Sequence, residues 1–234
     1  MRLPRHVQPE ILDVLDGDDV DARRSRRDLR RINRAMATLA VVLPALDGVA
    51  ALARPRTLLE LGAGDGSLML RVARRRALNW PQLNVMLLDR QPLVPPESLR
   101  AMRGLGWTPE VATSDVFDWL KTAHAEPWDI VFANLFVHHF EGGRLAALLS
   151  GIAARARAFV CCEPRRGAVA LLGSHLVRLI GANAVTRHDA IASVHAGFRG
   201  TELSALWPDP DRWRVREHSA GPFSHCFVAT RVGN

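Results

Sequence analysis

Leu58-Leu59-Glu60-Leu61-Gly62-Ala63-Gly64-Asp65-Gly66 carries most of the architectural information in this chain. An apolar run ends in an acidic residue and opens into a loop with glycine at every second position. Such a loop lets a ligand lie against backbone N–H groups, and each glycine accepts backbone angles closed to other residues. The spacing is Glu-x-Gly-x-Gly-x-Gly. It differs from the dinucleotide-binding Gly-x-Gly-x-x-Gly, whose third glycine comes one residue later.

Outward from this loop, short apolar runs alternate with helical patterns, as expected for βαβ units and a parallel sheet. The runs place strands at 57–61, 84–89, 109–113, 128–133 and 157–162. The first crossover helix begins at Ser67, and others fall near Ala101–Arg103, Leu120–Ala123 and Arg144–Ala154. Upstream, Leu29, Ile32, Met36, Leu39, Leu43 and Leu46 recur at helical spacing. They predict a helix over 22–51 with its arginines facing solvent, kinked or divided at Pro44. Downstream lie a helix near 166–180, a mixed segment to Trp207, and two runs, 212–217 and 223–231, which read as an antiparallel hairpin around Gly221-Pro222. With no repeats or low-complexity linker, this is one globular unit: a helical extension (1–55) and an α/β domain (56–234).

The 234 residues suffice for a substantial core without staples. The net charge is +7, and Lys121 is the sole lysine. Arg23, Arg24, Arg26, Arg27, Arg30, Arg31 and Arg34 concentrate the excess, either as a nucleic-acid footprint or as solvated helix faces. Cys161 and Cys162 are adjacent and Cys226 is remote in sequence, so no disulfide framework or CxxC zinc site is implied. Pro4, Pro9 and Glu10 occupy the place where a signal peptide needs an apolar core. No window has the length of a membrane span, and the expected location is cytoplasmic.

Asp89 closes the second strand, and Asp115 follows the third in Thr113-Ser114-Asp115-Val116-Phe117. Glycine loop, Asp89 and Asp115, one βαβ unit apart, resemble the motifs of class I S-adenosylmethionine (SAM) dependent methyltransferases over about residues 56–231. The resemblance implies a Rossmann-like α/β fold: a seven-stranded, mostly parallel sheet with an antiparallel terminal strand, covered by an N-terminal helical lid. It also implies SAM as cofactor and S-adenosylhomocysteine as product. Gly62, Ala63, Gly64 and Gly66 would face the methionine part, with Glu60 orienting its ammonium. Asp89, beside Arg90, would accept both ribose hydroxyls. Ser114, Asp115 and Val116 would hold the adenine, and Asn134 would complete the site. Read alone, Asp89 could equally be a strand-end turn residue and Asp115 a helix N-cap.

The fourth strand runs into Asn134-Leu135-Phe136-Val137-His138-His139-Phe140. Nucleobase amine methylation would show Asn-Pro-Pro-Tyr/Phe here. A His-His pair instead resembles the small-molecule branch, where an imidazole can deprotonate a phenol. Adjacent histidines point differently, so one at most meets substrate. We place His139 ahead of His138 as the base, with packing by both as the alternative. His188, His195 and Trp207 lie in the segment expected to cover the acceptor, whose apolar residues Ile191, Val194, Phe198, Leu203 and Leu206 suit an apolar pocket or a second layer of core. The carboxylates form no obvious cluster, so no metal is expected.

Arg27–Asn33, Asn134–Phe140, Val185–Asp189 and Trp207 are further similar to bacterial methyltransferases encoded beside type III polyketide synthases. That narrower resemblance implies O-methylation of a phenolic polyketide. The competing expectations are RNA or protein methylation through the arginine-rich helix, and a non-catalytic SAM-binding protein. Scarce aromatics near the arginines weigh against RNA.

Overall fold

The computed structural model describes residues 3–122 and 126–233. Seven strands form one sheet: β1 (Thr57–Leu61), β2 (Asn84–Asp89), β3 (Thr108–Thr113), β4 (Trp128–Asn134), β5 (Ala156–Pro164), β6 (Trp213–Ala220) and β7 (Ser224–Arg231). Their order is β3-β2-β1-β4-β5-β7-β6. The first five are parallel, and β7 runs antiparallel to both of its neighbours. The expected strands and hairpin are all present. Strand order reverses between β1 and β4, so a crevice opens beyond their carboxyl ends.

Period-two alternation sorts the strand residues between two cores. Leu58, Val85, Phe132 and Val160 meet Val42 and Leu46 of α3 (Thr38–Ala50) and Met69 and Val72 of α4 (Ser67–Arg76), with Met102 of α5 (Pro96–Gly104) in the same cluster. Leu59, Val131 and Phe159 face the other way. They meet Leu120 of α6 (Val116–Lys121) and Leu145, Leu148 and Ile152 of α7 (Gly142–Arg155). Ala123, at the edge of one expected helix, lies outside the described residues.

The N-terminal region departs from expectation. It forms a short α1 (Ile11–Val14), then α2 (Val20–Ala35), which meets α3 at 71°. The break falls at Ala37, in the left-handed region at φ 51°, and not at Pro44. Pro44 sits inside α3 on its exposed side, where water can reach the carbonyl left without a donor. The buried residues of α2 are Ala22, Ser25 and Asp28. They dock on the start of α9 (Ala184–Ala196): Ser25 donates to Asn183 Oδ1 at 3.0 Å, and Asp28 Oδ2 accepts from Asn183 N at 2.9 Å. An apolar helix, α8 (Ala168–Leu176), precedes α9.

Cys226 is remote only in sequence. It pairs with Cys162 across β5 and β7, with the sulfurs 3.5 Å apart as free thiols. No single helix among the described residues is long and apolar enough to cross a membrane.

Candidate active site

A 680 Å³ cavity opens at the carboxyl ends of β1, β2 and β4. Its floor is the glycine loop. Gly62 and Gly64 have φ of 67° and 54°, angles that favour glycine. A Cβ on Gly62 would strike the Phe136 ring, whereas one on Gly64 would meet no atom within 4 Å. Gly66 does not line the cavity. It starts α4 at φ 67°, and a Cβ there would press on Val94 at 3.2 Å, so its role is packing.

Glu60 is 3% exposed at this floor, and its Oε2 has no hydrogen-bond partner among the described residues. Burial, reinforced by Asp65 and Asp89, pushes its pKa well above the ordinary carboxylate range. Asp89 forms part of the wall and also braces the loop, accepting from Gly64 N at 2.8 Å and from Gln91 N at 3.0 Å. Asp115 caps α6 through Phe117 N at 2.8 Å and also lines the cavity. Ala63, Arg90, Ser114, Val116 and Asn134 also line it.

The turn after β4 is shaped by one strained residue. Leu135 has φ 53°, held by its N–H on Cys162 O at 3.0 Å. The chain then aims three N–H groups at buried Glu163, which accepts from Phe136 N at 3.2 Å, Val137 N at 3.0 Å and His138 N at 3.3 Å.

The two histidines separate here. His138 is enclosed, with Nδ1 2.7 Å from Glu163 Oε2 and Nε2 3.2 Å from Glu10 Oε1. Burial lowers its pKa, but bonds to Glu10 and Glu163 outweigh that and raise it to about 9. It does not line the cavity, which removes it as a base in contact with substrate. His139 does line the cavity. Its Nδ1 lies 3.0 Å from Phe136 O, while its Nε2 lies 3.4 Å from Glu10 Oε2 without a hydrogen bond. Burial would raise the pKa of Glu10, but its bond to His138 and the closeness of His139 hold it well below the ordinary range.

The expected N-terminal lid covers the cavity, whereas the segment after β5 does not line it. Val7 to Val14 and α2 close over the cavity with Glu10, Asp13, Arg26, Leu29 and Arg30. Arg30 reaches Asp65 at 2.5 Å, and Arg26 donates to Gly17 O at 2.7 Å, so two of the arginines expected to face solvent point inward. Arg5 fastens the strap, donating to Ala196 O at 2.8 Å, His138 O at 3.1 Å and Phe140 O at 2.8 Å.

His188, His195 and Trp207 do not line the cavity. His188 is half-exposed on α9 beside Asp189. Trp207 stacks on Phe159 at 5.5 Å in the core with Phe227 and Trp213, alongside Phe198 and Leu203, so this part of the segment is core rather than acceptor pocket. The sequence shows no obvious carboxylate cluster, but the fold brings one carboxylate to the histidine pair. Glu10, His138 and His139 bring ligand-type atoms within 4.8 Å of one another. No spacing rule ties position 10 to positions 138 and 139; in sequence Glu10 served only to interrupt an apolar run.

No family model and no curated protein matches this chain. Among solved structures it is similar to an O-methyltransferase family protein from Burkholderia thailandensis, at 20% identity and TM-score 0.59, over 94% of this chain and 64% of that one. It is similar to the mitomycin 7-O-methyltransferase MmcR at 23% identity and TM-score 0.52, over 94% and 62%. It is also similar to magnesium protoporphyrin IX methyltransferase ChlM from Synechocystis PCC 6803 with bound SAM, at 15% identity and TM-score 0.54, over 89% and 84%. The chain spans less than two-thirds of the length of the first two. At these identities the likeness establishes the fold, which is the Rossmann-like methyltransferase fold.

Proposed function

We propose that the chain is a SAM-dependent methyltransferase acting on a hydroxyl of a small, phenolic polyketide-type acceptor. The observation that carries this reading is the orphaned Oε2 of buried Glu60 at the floor of the cavity. A buried carboxylate without a partner suits a cationic ligand group, and SAM brings an ammonium. Asp89 and Asp115 offer acceptors for a ribose diol and an adenine amine, and Gly64 leaves open space where a side chain would stand. When bound, SAM supplies an electrophilic methyl group on its sulfonium.

The residues of this chain then have three tasks. The glycine loop, Glu60 and Asp89 fix one reactant. The strap and α2 cover the cavity and would hold both reactants in one orientation, which converts a bimolecular encounter into an oriented one. Acceptor activation falls to His139 and the carboxylates beside it, Glu10 and Asp13, which line the same cavity. O-methylation draws support from the names of two fold neighbours. The phenolic polyketide class rests on the sequence resemblance.

Turnover of methyl-labelled SAM with phenolic lipids, beside bulk RNA, tests the reading. Label should enter the phenol and not the RNA. His139→Gln should lower turnover about 10²–10⁴-fold with SAM still bound, and the defect should shrink as pH nears the phenol's own pKa. Labelled RNA with unlabelled phenols would reverse the assignment.

A further inference from the structure

The cluster beside the cavity has an arrangement that acid–base chemistry alone does not require. Both Nδ1 atoms are committed: that of His139 to the Phe136 carbonyl at 3.0 Å, that of His138 to Glu163 at 2.7 Å. A carbonyl only accepts, so His139 Nδ1 carries its proton. Glu163 already accepts three backbone N–H groups, so it too acts as an acceptor toward His138. In the neutral rings both Nε2 atoms are therefore bare lone pairs.

Both lone pairs face one carboxylate. His138 Nε2 is 3.2 Å from Glu10 Oε1, and His139 Nε2 is 3.4 Å from Glu10 Oε2. Asp13 Oδ2 lies 3.7 Å from His139 Nε2, and Ser193 Oγ donates to Glu10 Oε1. His139 Nε2 is buried and makes no hydrogen bond among the described residues. Acceptors converging on one point call for positive charge between them, which a proton on His138 Nε2 or a bound metal ion would supply. Histidines whose Nδ1–H is given to a carboxylate and a backbone carbonyl, with Nε2 atoms converging beside a third carboxylate, have the supporting pattern of metal-ligating imidazoles. Two histidines and a glutamate form a ligand set that suits catalytic zinc.

We propose that Glu10, His138 and His139 bind a divalent first-row transition ion of the zinc type, with Asp13 at its edge. Glu10, Asp13 and His139 line the cavity, so an open coordination position would face the acceptor. The use of that position to ionise an acceptor hydroxyl, with its proton passing to solvent, rests on the methyltransferase reading; binding of the ion does not. Metal activation would spare His139 the work of a base.

The experiment titrates untagged, EDTA-treated full-length protein with Co²⁺ and then Zn²⁺. Cobalt should bind one-to-one with visible d–d bands, zinc should displace it, and the melting temperature should rise. His138→Ala risks misfolding, so the test relies on His139→Ala and Glu10→Gln, checked by melting and by SAM calorimetry. Each should keep SAM binding while losing zinc affinity by more than about a hundredfold. His139→Cys should add a thiolate-to-cobalt charge-transfer band, which a merely structural histidine would not produce. Folded parental protein that binds neither ion, or unchanged zinc affinity in His139→Ala, overturns the proposal. One-to-one zinc binding without turnover of any acceptor would leave the metal site standing and remove the methyltransferase reading. Full turnover in metal-free protein with no metal bound would do the reverse.

Discussion

Asp89 Oδ2 accepts from Gly64 N at 2.8 Å, so the acidic end of β2 braces the glycine loop from below. The carboxylate proposed to receive a ribose diol therefore also sets the shape of the loop. Asp89→Ala should lose SAM affinity about ten- to a hundredfold from a missing charged hydrogen bond. It should also lose thermal stability, because Gly64 N and Gln91 N lose their acceptor together. Asp89→Asn keeps one carbonyl oxygen and should fall between the two proteins in calorimetry and in melting. Equal SAM affinity in all three would remove Asp89 from the cofactor site.

Glu60 gives a pH signature. Its pKa in the folded protein is raised from 4.5 by burial first and then by Asp65 and Asp89, so it holds a proton where an ordinary carboxylate has lost one. A cationic ligand favours the carboxylate, so SAM binding should release a proton. Affinity should climb by up to about tenfold per pH unit below the folded pKa and level off above it. Folding carries the same linkage: the contribution of Glu60 to stability is full below 4.5 and is lost as pH rises toward the raised value. Glu60→Gln should flatten both profiles. Calorimetry in buffers of different ionisation enthalpy reads the proton directly, and none released would contradict the placement of the ammonium.

Arg5 ties the N-terminal strap to the site turn through two carbonyls and to α9 through a third, and lies 4.4 Å from the centre of the Phe198 ring. Arg5→Ala should destabilise the protein by about 2 kcal/mol, near the value for hydrogen bonds from a charged donor. In a chain of this size that lowers Tm by about 4–8 °C. Lysine should not rescue it, because a point charge cannot reproduce the planar fork. Amide exchange over residues 5–14 should accelerate in the variant, and unchanged exchange would mean the strap is held elsewhere.

Trp207 separates a core role from a substrate role. Its stacking against Phe159 implies that Trp207→Ala costs about 3–5 kcal/mol. SAM affinity in the fraction that folds should stay at the parental value. A variant with parental Tm and a raised KM for the acceptor would restore the tryptophan to the substrate pocket.

The sequence by itself determined the sheet, the glycine loop and the acidic residues at the strand ends. Each is a local property: strand period two, helix period 3.6, and one acidic side chain per βαβ step behind Glu60–Gly66. The same local rules misplaced the helix break, since the left-handed backbone at Ala37 replaced the bend expected at Pro44. Only the tertiary structure decided what closes the cavity and which side chains gather beside it. Glu10 meets His138 across 128 positions of chain because Arg5 ties the N-terminal strap to the site turn and α9, and Arg166 holds Leu3 O. His138 and His139 are adjacent in sequence, yet one is sealed by Glu163 and the other lines the cavity, because the left-handed Leu135 rotates the turn between them and the sheet. Contacts of that kind depend on the path of the whole chain, and periodicity along a single segment carries no record of it.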